Sequence, residues 1–483
     1  MLLWRVAVAA LLTGKRACSA TPTSQQPDQL DARSVERPAR WSGLRTSMLH
    51  GSSNPILALE PRRNPLPFCK RNARSYESPE WRRAVLQMIA RQQLAASRAT
   101  PELVCSVRVG PGLGNLLHGV LSCLLLAMLT ERALYLEWPS WSNVTFAAND
   151  PEGKLSMPSW HELIQLPGSW QLWDASTFRP RACAKQETLV WNATNGVGGG
   201  LPEAAHRNLR EAWRRYPCVR VQGVYQSFLP LLSIFNPAFR QLLASESRGW
   251  LRPGDTFRQL FCTFVVPHPS ILEAFESAHH RLRASAERTV VGVHLRTVAL
   301  NAAHAHSGRS QSHLLKCAVQ MARKLGHTAI FVAADTQQAR AYAARYLQPF
   351  HGLEVTMGVD ASRRAVGAGQ SFGTRASALV ELLMLASCDA LVVHERSTFS
   401  STAYSLAGVR PHMLAPDHRG NGLHGRRMCS QQHSTEPCAH ACRGICRRRA
   451  DHHNLSADVQ REIDFQIQCN ANGVTRASRQ RPN

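Results

Sequence analysis

The stretch ELLMLASCDALVVHERSTFSSTAYSLAGVRP, residues 381–411, constrains the fold more than any other part of the chain. Its opening has helical apolar spacing. Ala390–Val393 is short, apolar and β-branched, as expected of a strand buried on both faces. Ser397-Thr-Phe-Ser-Ser then reads as a turn that caps a helix over Thr398–Gly408. The same alternation runs upstream. TVVGVHLR (289–296) predicts a strand, Ser310–Leu325 a helix, Thr328–Ala334 a strand ending at Asp335, and Gln337–Tyr346 and Ala376–Ser387 two helices. Continuous apolar strands between helices predict a parallel, doubly wound α/β sheet. Ligands of such sheets bind at the C-terminal strand ends. His294, Arg296, Asp335 and the Ser397–Ser401 turn all fall there.

A second α/β region precedes it. Ser78 and Pro79 open a helix to Ala96, and Leu103–Val109 reads as a strand entering the glycine turn GPGLGN, residues 110–115. Leu116–Leu129 is apolar on nearly every side, and Ala133–Trp138 is the next strand. A helix apolar all round lies in a core or a membrane; spanning takes about 20 residues, so this shorter run predicts a core helix. Strand and helix recur at Cys218–Phe235, with a helical region near 267–286, while 139–215 reads as loops and short helices. Glycine turns and Ser/Thr-capped helix starts expose backbone N–H groups to anions. Two such places, far apart in sequence, predict two domains closing on a phosphate-bearing ligand.

The chain has 483 residues, enough for two cores, and a formal net charge of +24. That charge favours anionic partners. No RNA-recognition signature, zinc finger or basic heptad helix accompanies it, so the reading has no nucleic-acid partner. The N-terminus, MLLWRVAVAALLTGKRACSA, reads as a signal peptide or a short signal anchor that gives membrane association. Residues 21–65, rich in Ser, Pro, Arg and Gln, read as a disordered stem. Sequons at Asn143, Asn192 and Asn454 and the 14 cysteines fit an oxidising secretory lumen. Cys429, Cys438, Cys442 and Cys446 cluster near His440; disulfides are favoured there over a zinc site, with the pairing open.

Several residues suit phosphate chemistry. Strand alternation puts His294 and Arg296 on one side and Leu295 on the other. A guanidinium there matches a diphosphate bidentately and stabilises charge on a leaving nucleoside diphosphate. Ser397, Thr398 and Ser400 offer hydroxyls and helix-start N–H groups to phosphate oxygens, beside Phe399. Glu381 can accept hydrogen bonds from a base or sugar; Asp335 and Asp389 flank strands. The chain lacks a D-x-D motif, a GxxxxGKS/T loop and H-E-x-x-H.

These blocks together resemble the plant-type galactoside 2-α-L-fucosyltransferase (xyloglucan fucosyltransferase) family. GLGN (112–115) with LTERALYLEW (129–138) resembles its first block, and VQGVYQSFLPLLSIF (221–235) a middle one. VGVHLRT (291–297), ALVELLMLASCDALVVHERSTFSSTAYSLAGVRPHML (378–414) and MCSQQHSTEPCAHACRGIC (428–446) resemble the later blocks. The resemblance implies a variant GT-B fold, two Rossmann-like domains facing a cleft. It implies an acceptor-side domain over 66–286, a GDP-fucose domain over 287–425, a Cys-rich segment over 426–470 and a disordered tail over 471–483. It implies inverting, metal-independent transfer from GDP-fucose to a galactose-terminated glycan in the Golgi lumen, with no further cofactor. Arg296 would hold the diphosphate, Ser397, Thr398, Phe399 and Ser400 would line the nucleotide pocket, and His294 and Glu381 would serve the guanine and ribose side. Asn115 would be catalytic together with Arg296, facing the cleft from the other domain, and Gly112 and Gly114 would bind the donor; Glu381, Asp335 and His304 are candidate bases. Thr297 stands where many members have a second Arg, and Leu116 where a polar residue is common. Those departures motivate the alternative of a degenerate glycan- or nucleotide-binding relative.

Overall fold

A computed structural model describes residues 64–70, 79–97, 100–106, 113–137, 163–166, 173–175, 183, 187–192, 207–222, 255–283, 288–296, 308–326, 328–358, 370–394, 397–413 and 429–431. The chain divides into units Met1–Pro55 and Ile56–Asn483, and every described residue lies in the second. The expected N-terminal signal and most of the expected stem therefore lie outside the described residues. The stem's last residues do not: Asn64 is buried and its amide donates to the Val265 carbonyl at 2.8 Å.

The N-terminal half runs α1 (Pro67–Lys70), α2 (Pro79–Ser97), β1 (Glu102–Ser106), α3 (Leu113–Thr130), β2 (Ala133–Glu137), β3 (Ile164–Gln165), β4 (Thr188–Asn192), α4 (Leu209–Ala212), β5 (Cys218–Gln222), α5 (Thr256–Phe264), β6 (Val266–Pro267) and α6 (Pro269–Leu282). Four strands pair in the order β2-β1-β5-β4, all parallel. The C-terminal half runs β7 (Thr289–Leu295), α7 (Gly308–Leu325), β8 (Thr328–Ala334), α8 (Gln337–Leu347), β9 (Glu354–Met357), α9 (Gln370–Ala386), β10 (Ala390–Val393), α10 (Thr398–Ala407), β11 (His412–Met413) and β12 (Ser430–Gln431). Its sheet has the order β12-β11-β10-β7-β8-β9, parallel except for the antiparallel β11–β12 edge.

Helix α3 links the two halves. Gly114 through Thr130 are all buried. The helix is long and apolar enough to cross a membrane, yet it packs inside the protein. Its leucines join one core with α9 and α10 of the other half, including Leu382, Leu385, Tyr404 and Leu406. Each fully buried leucine contributes about 1.5–3 kcal/mol. The opposite face of the larger sheet carries a second core, Val291, Val293 and Leu295 against α7 and α8.

The predicted strands and helices of the second half all appear. The turn residues Leu113, Gly114 and Asn115 differ from expectation: they already form the first turn of α3. Asn115 and His118 are buried with the leucines, so the helix begins earlier than the apolar run does. The cysteine reading also changes. Cys429 leaves the tail cluster and pairs with Cys317 of α7, 112 residues away in sequence. Cys69–Cys262, Cys105–Cys123 and Cys183–Cys218 are the other described disulfides. Cys438, Cys442, Cys446, His440, Asn143 and Asn454 lie outside the described residues, as does the helix expected after Gln222.

Candidate donor site

Strand order places the site. From β7 the chain moves outward to β8 and β9, then returns to β10 on the other side of β7. The crevice between β7 and β10 is thus a topological switch point, the place where open α/β sheets bind ligands. His294 and Arg296 lie at the end of β7, and Ser397 begins α10 just after β10.

Alternation holds at β7. Leu295 is buried in the α7 core, whereas His294 faces α10. The His294 ring shares a hydrogen bond with Ser400 Oγ at 2.7 Å, stands 3.5 Å from Ser397 Oγ, and lies 4.9 Å from the Phe399 ring centre. Burial pushes its pKa down to about 3, against the attraction of Asp335. His294 is therefore neutral at working pH and carries no charge toward a ligand. Arg296 is different. Its guanidinium is one-third exposed, 34%, and its Nε lies 3.6 Å from Asp335 Oδ2. A cation fixed on one side and open on the other is suited to an anionic ligand.

The start of α10 is built by its own sequence. Ser397 is extended and its Oγ accepts from the Ser400 N–H at 3.3 Å, an N-cap. Ser401 and Thr402 bond the Thr398 carbonyl, so their hydroxyls turn inward. Thr398 and Phe399 keep partial exposure in the first turn, where N–H groups lack helical partners. Helix α3 arrives from the other half at this point. A Cβ on Gly114 would lie 2.6 Å from the Thr398 carbonyl carbon and 2.8 Å from the Phe399 nitrogen. Only glycine allows that approach. The two motifs read separately in the sequence are thus in direct contact, with Asn115 buried in the same turn.

Glu381 sits in α9 and is buried. Its Oε1 accepts from Arg340 Nη2 at 2.6 Å, and Gly358 is packed against the carboxyl. Arg340 also donates to the Ala334 and Gly358 carbonyls at 3.1 and 3.3 Å, which anchors the pair beyond β8. Burial raises the Glu381 pKa to about 7, with Arg340 pulling it back. Sequence reasoning missed Arg340, whose partner is 41 residues away. Its one local signal is an Arg in the first helical turns after the Thr336 cap. Arg258 was also missed. It is buried across the C-terminal end of α10, donating to the Ala407 carbonyl at 3.4 Å, beside the left-handed Gly408.

Other candidates fall elsewhere. Asp389 precedes β10, at the opposite edge of the sheet, where it accepts from Arg283 and from the Val290 N–H, each at 2.9 Å. Gly112, Thr297 and His304 lie outside the described residues. Among the described residues no group of three or more His, Cys, Asp or Glu side chains could hold a metal ion.

The xyloglucan fucosyltransferase family matches residues 347–447, a span that contains Glu381, β10 and the whole of α10. Over that segment the chain is similar to the xyloglucan fucosyltransferase family. A structure of an Arabidopsis thaliana FUT1 mutant in complex with GDP matches with a TM-score of 0.53 at 16% identity, covering 78% of this chain and 86% of that one. This likeness shows the fold, the variant GT-B arrangement of two parallel α/β sheets. The NodZ α-1,6-fucosyltransferase soaked with GDP-fucose matches with a TM-score of 0.39 at 16% identity, covering 66% of this chain and 97% of that one. A comparison with curated proteins found no match.

Proposed function

We propose that this chain is a member of the xyloglucan fucosyltransferase family and an inverting enzyme that moves L-fucose from GDP-fucose to the 2-hydroxyl of a galactose-terminated glycan. The observation that carries the reading is the switch-point arrangement. Arg296, at 34% exposure, stands at the end of β7, and the capped start of α10 lies on the far side of buried His294. GDP in the FUT1 structure favours a guanosine diphosphate donor here. In this reading Arg296 pairs with the diphosphate, and the N–H groups of Thr398 and Phe399 meet its oxygens. Ser397 and Ser400 fix that helix start through the cap and through His294. Glu381, aligned by Arg340, serves the guanine side; Gly114 and Asn115 close the cleft from the N-terminal half.

Transfer needs charge stabilisation on the leaving diphosphate and alignment of the attacking hydroxyl. Arg296 and the α10 terminus supply the first without a metal. The acceptor-side domain spans about 66–286 and the donor domain 287–425. Four described disulfides favour a Golgi-lumenal enzyme, with its N-terminus as signal or anchor.

The degenerate alternative loses one of its two supports. Leu116 is buried in the main core, so a polar residue's absence there removes nothing from a cleft. The test is acceptor-stimulated GDP release from GDP-fucose, in EDTA, with a xyloglucan oligosaccharide that ends in unsubstituted galactose. We expect release and a new 2-linked fucose by NMR. A folded protein that binds GDP but turns over with no galactoside would support the degenerate reading instead.

A further inference from the structure

Among the described residues of the donor half, the three candidate proton acceptors are already engaged. His294 is buried and neutral, Asp335 faces Arg296, and Glu381 is buried on Arg340. The N-terminal sheet holds a different group. Its order, β2-β1-β5-β4, makes a second switch point between β1 and β5. Ser106 ends β1 and Glu137 ends β2, and the two are register partners. Val104 pairs with Arg220 of β5, so alternation puts Arg220 on the face shared by Ser106 and Glu137. The side chains meet. Ser106 Oγ donates to Glu137 Oε2 at 2.5 Å, and Arg220 Nη1 donates to Oε1 at 3.2 Å and to Oε2 at 3.4 Å.

Three adjacent strands thus hold one carboxylate at the ligand-binding edge. Glu137 nevertheless keeps 43% of its side chain exposed, and Arg220 keeps 34%. The edge has a direction. In sequence only residues 107–112 separate the end of β1 from α3, whose Gly114 rests on Thr398 and Phe399. Those few residues reach at most about 25 Å.

We propose that Glu137 is the acceptor-side catalytic base, with Ser106 and Arg220 as positioning residues. The proposal rests on the fucosyltransferase reading. In the step, the acceptor oxygen forms a bond to the fucose anomeric carbon. The bond from that carbon to the diphosphate oxygen breaks, and its electron pair leaves with GDP. The hydroxyl proton passes to the Glu137 carboxylate, which returns it to water.

The experiment compares the full chain with Glu137→Gln, whose amide oxygen still accepts from Ser106 and Arg220 but takes no proton. Transfer to a galactose-terminated xyloglucan oligosaccharide and GDP affinity are measured together, with the unfolding midpoint as a check on folding. We expect kcat to fall by about 10²- to 10⁴-fold with KM and GDP affinity within about twofold of wild type. Transfer by Glu137→Gln within about threefold of wild type overturns the proposal while leaving the donor reading intact. A wild-type chain that binds no GDP and transfers to no acceptor removes the donor reading, and this proposal with it.

Discussion

At the scale of single residues, the candidate site rests on buried polar side chains whose partners are distant in sequence. Glu381 is the sharpest case. Its carboxyl titrates near 7 in the fold against 4.5 for the free group, because burial outweighs Arg340. The folded state therefore binds a proton more readily than the unfolded chain between those values, and Glu381 makes stability fall as pH rises through that window. Arg340→Met leaves the ionised carboxylate buried alone. It should cost about 3–5 kcal/mol at pH 8 and clearly less at pH 5, where Glu381 is largely neutral. Urea denaturation at the two pH values checks this; equal losses at both would show that Arg340 acts only by packing. The placement of His294 and Leu295 on opposite faces of β7 was legible from strand alternation. Arg340, Arg258 and Glu137 were not, since a local pattern cannot reveal a partner 41, 149 or 83 residues away.

At the scale of elements, the junction of α3 with α10 governs the site. Gly114→Ala places a methyl carbon against the backbone of Thr398 and Phe399, which cannot rotate aside. Such overpacking costs about 1–3 kcal/mol and pushes apart the two helix starts that flank the ligand. We expect a lower unfolding midpoint and at least about tenfold weaker GDP binding; full GDP affinity would show that the junction does not shape the pocket. The second-half strands were readable because each is an apolar run ended by a turn. β9 was missed because Glu354–Met357 is an edge strand with no fully buried residue, so the continuous apolar signal is absent. Helix α5 was missed because its nine residues include three Phe and two Thr, which favour strands, and bury Arg258 and Gln259. The glycine motif was read as a turn, yet Gly114 is helical. Its glycine serves a contact that no local propensity expresses.

At the scale of the whole molecule, disulfides tie distant segments to the two cores. Cys317–Cys429 fixes the start of β12 to α7, on the sheet face opposite α9 and α10. Closing a loop of 112 residues stabilises mainly by restricting the unfolded chain. The double variant Cys317→Ser, Cys429→Ser should lose about 2–5 kcal/mol with GDP affinity unchanged. Unfolding and binding measured on one preparation check both parts, and a parallel loss of affinity would place this disulfide in the donor site's support. That cysteines pair as disulfides was legible from their count, but the pairing was not, because it depends on which helices the two sheets bring together.

The central claim is that the crevice between β7 and β10 binds guanosine diphosphate through Arg296 and the start of α10. Isothermal titration of GDP into the full chain and into Arg296→Ala tests it most directly. The account predicts that wild type binds GDP, that UDP and CMP do not compete, and that Arg296→Ala weakens binding by about tenfold or more, equal to about 1.4 kcal/mol. Folded wild-type protein that ignores GDP, or Arg296→Ala that binds it as wild type does, would contradict the account.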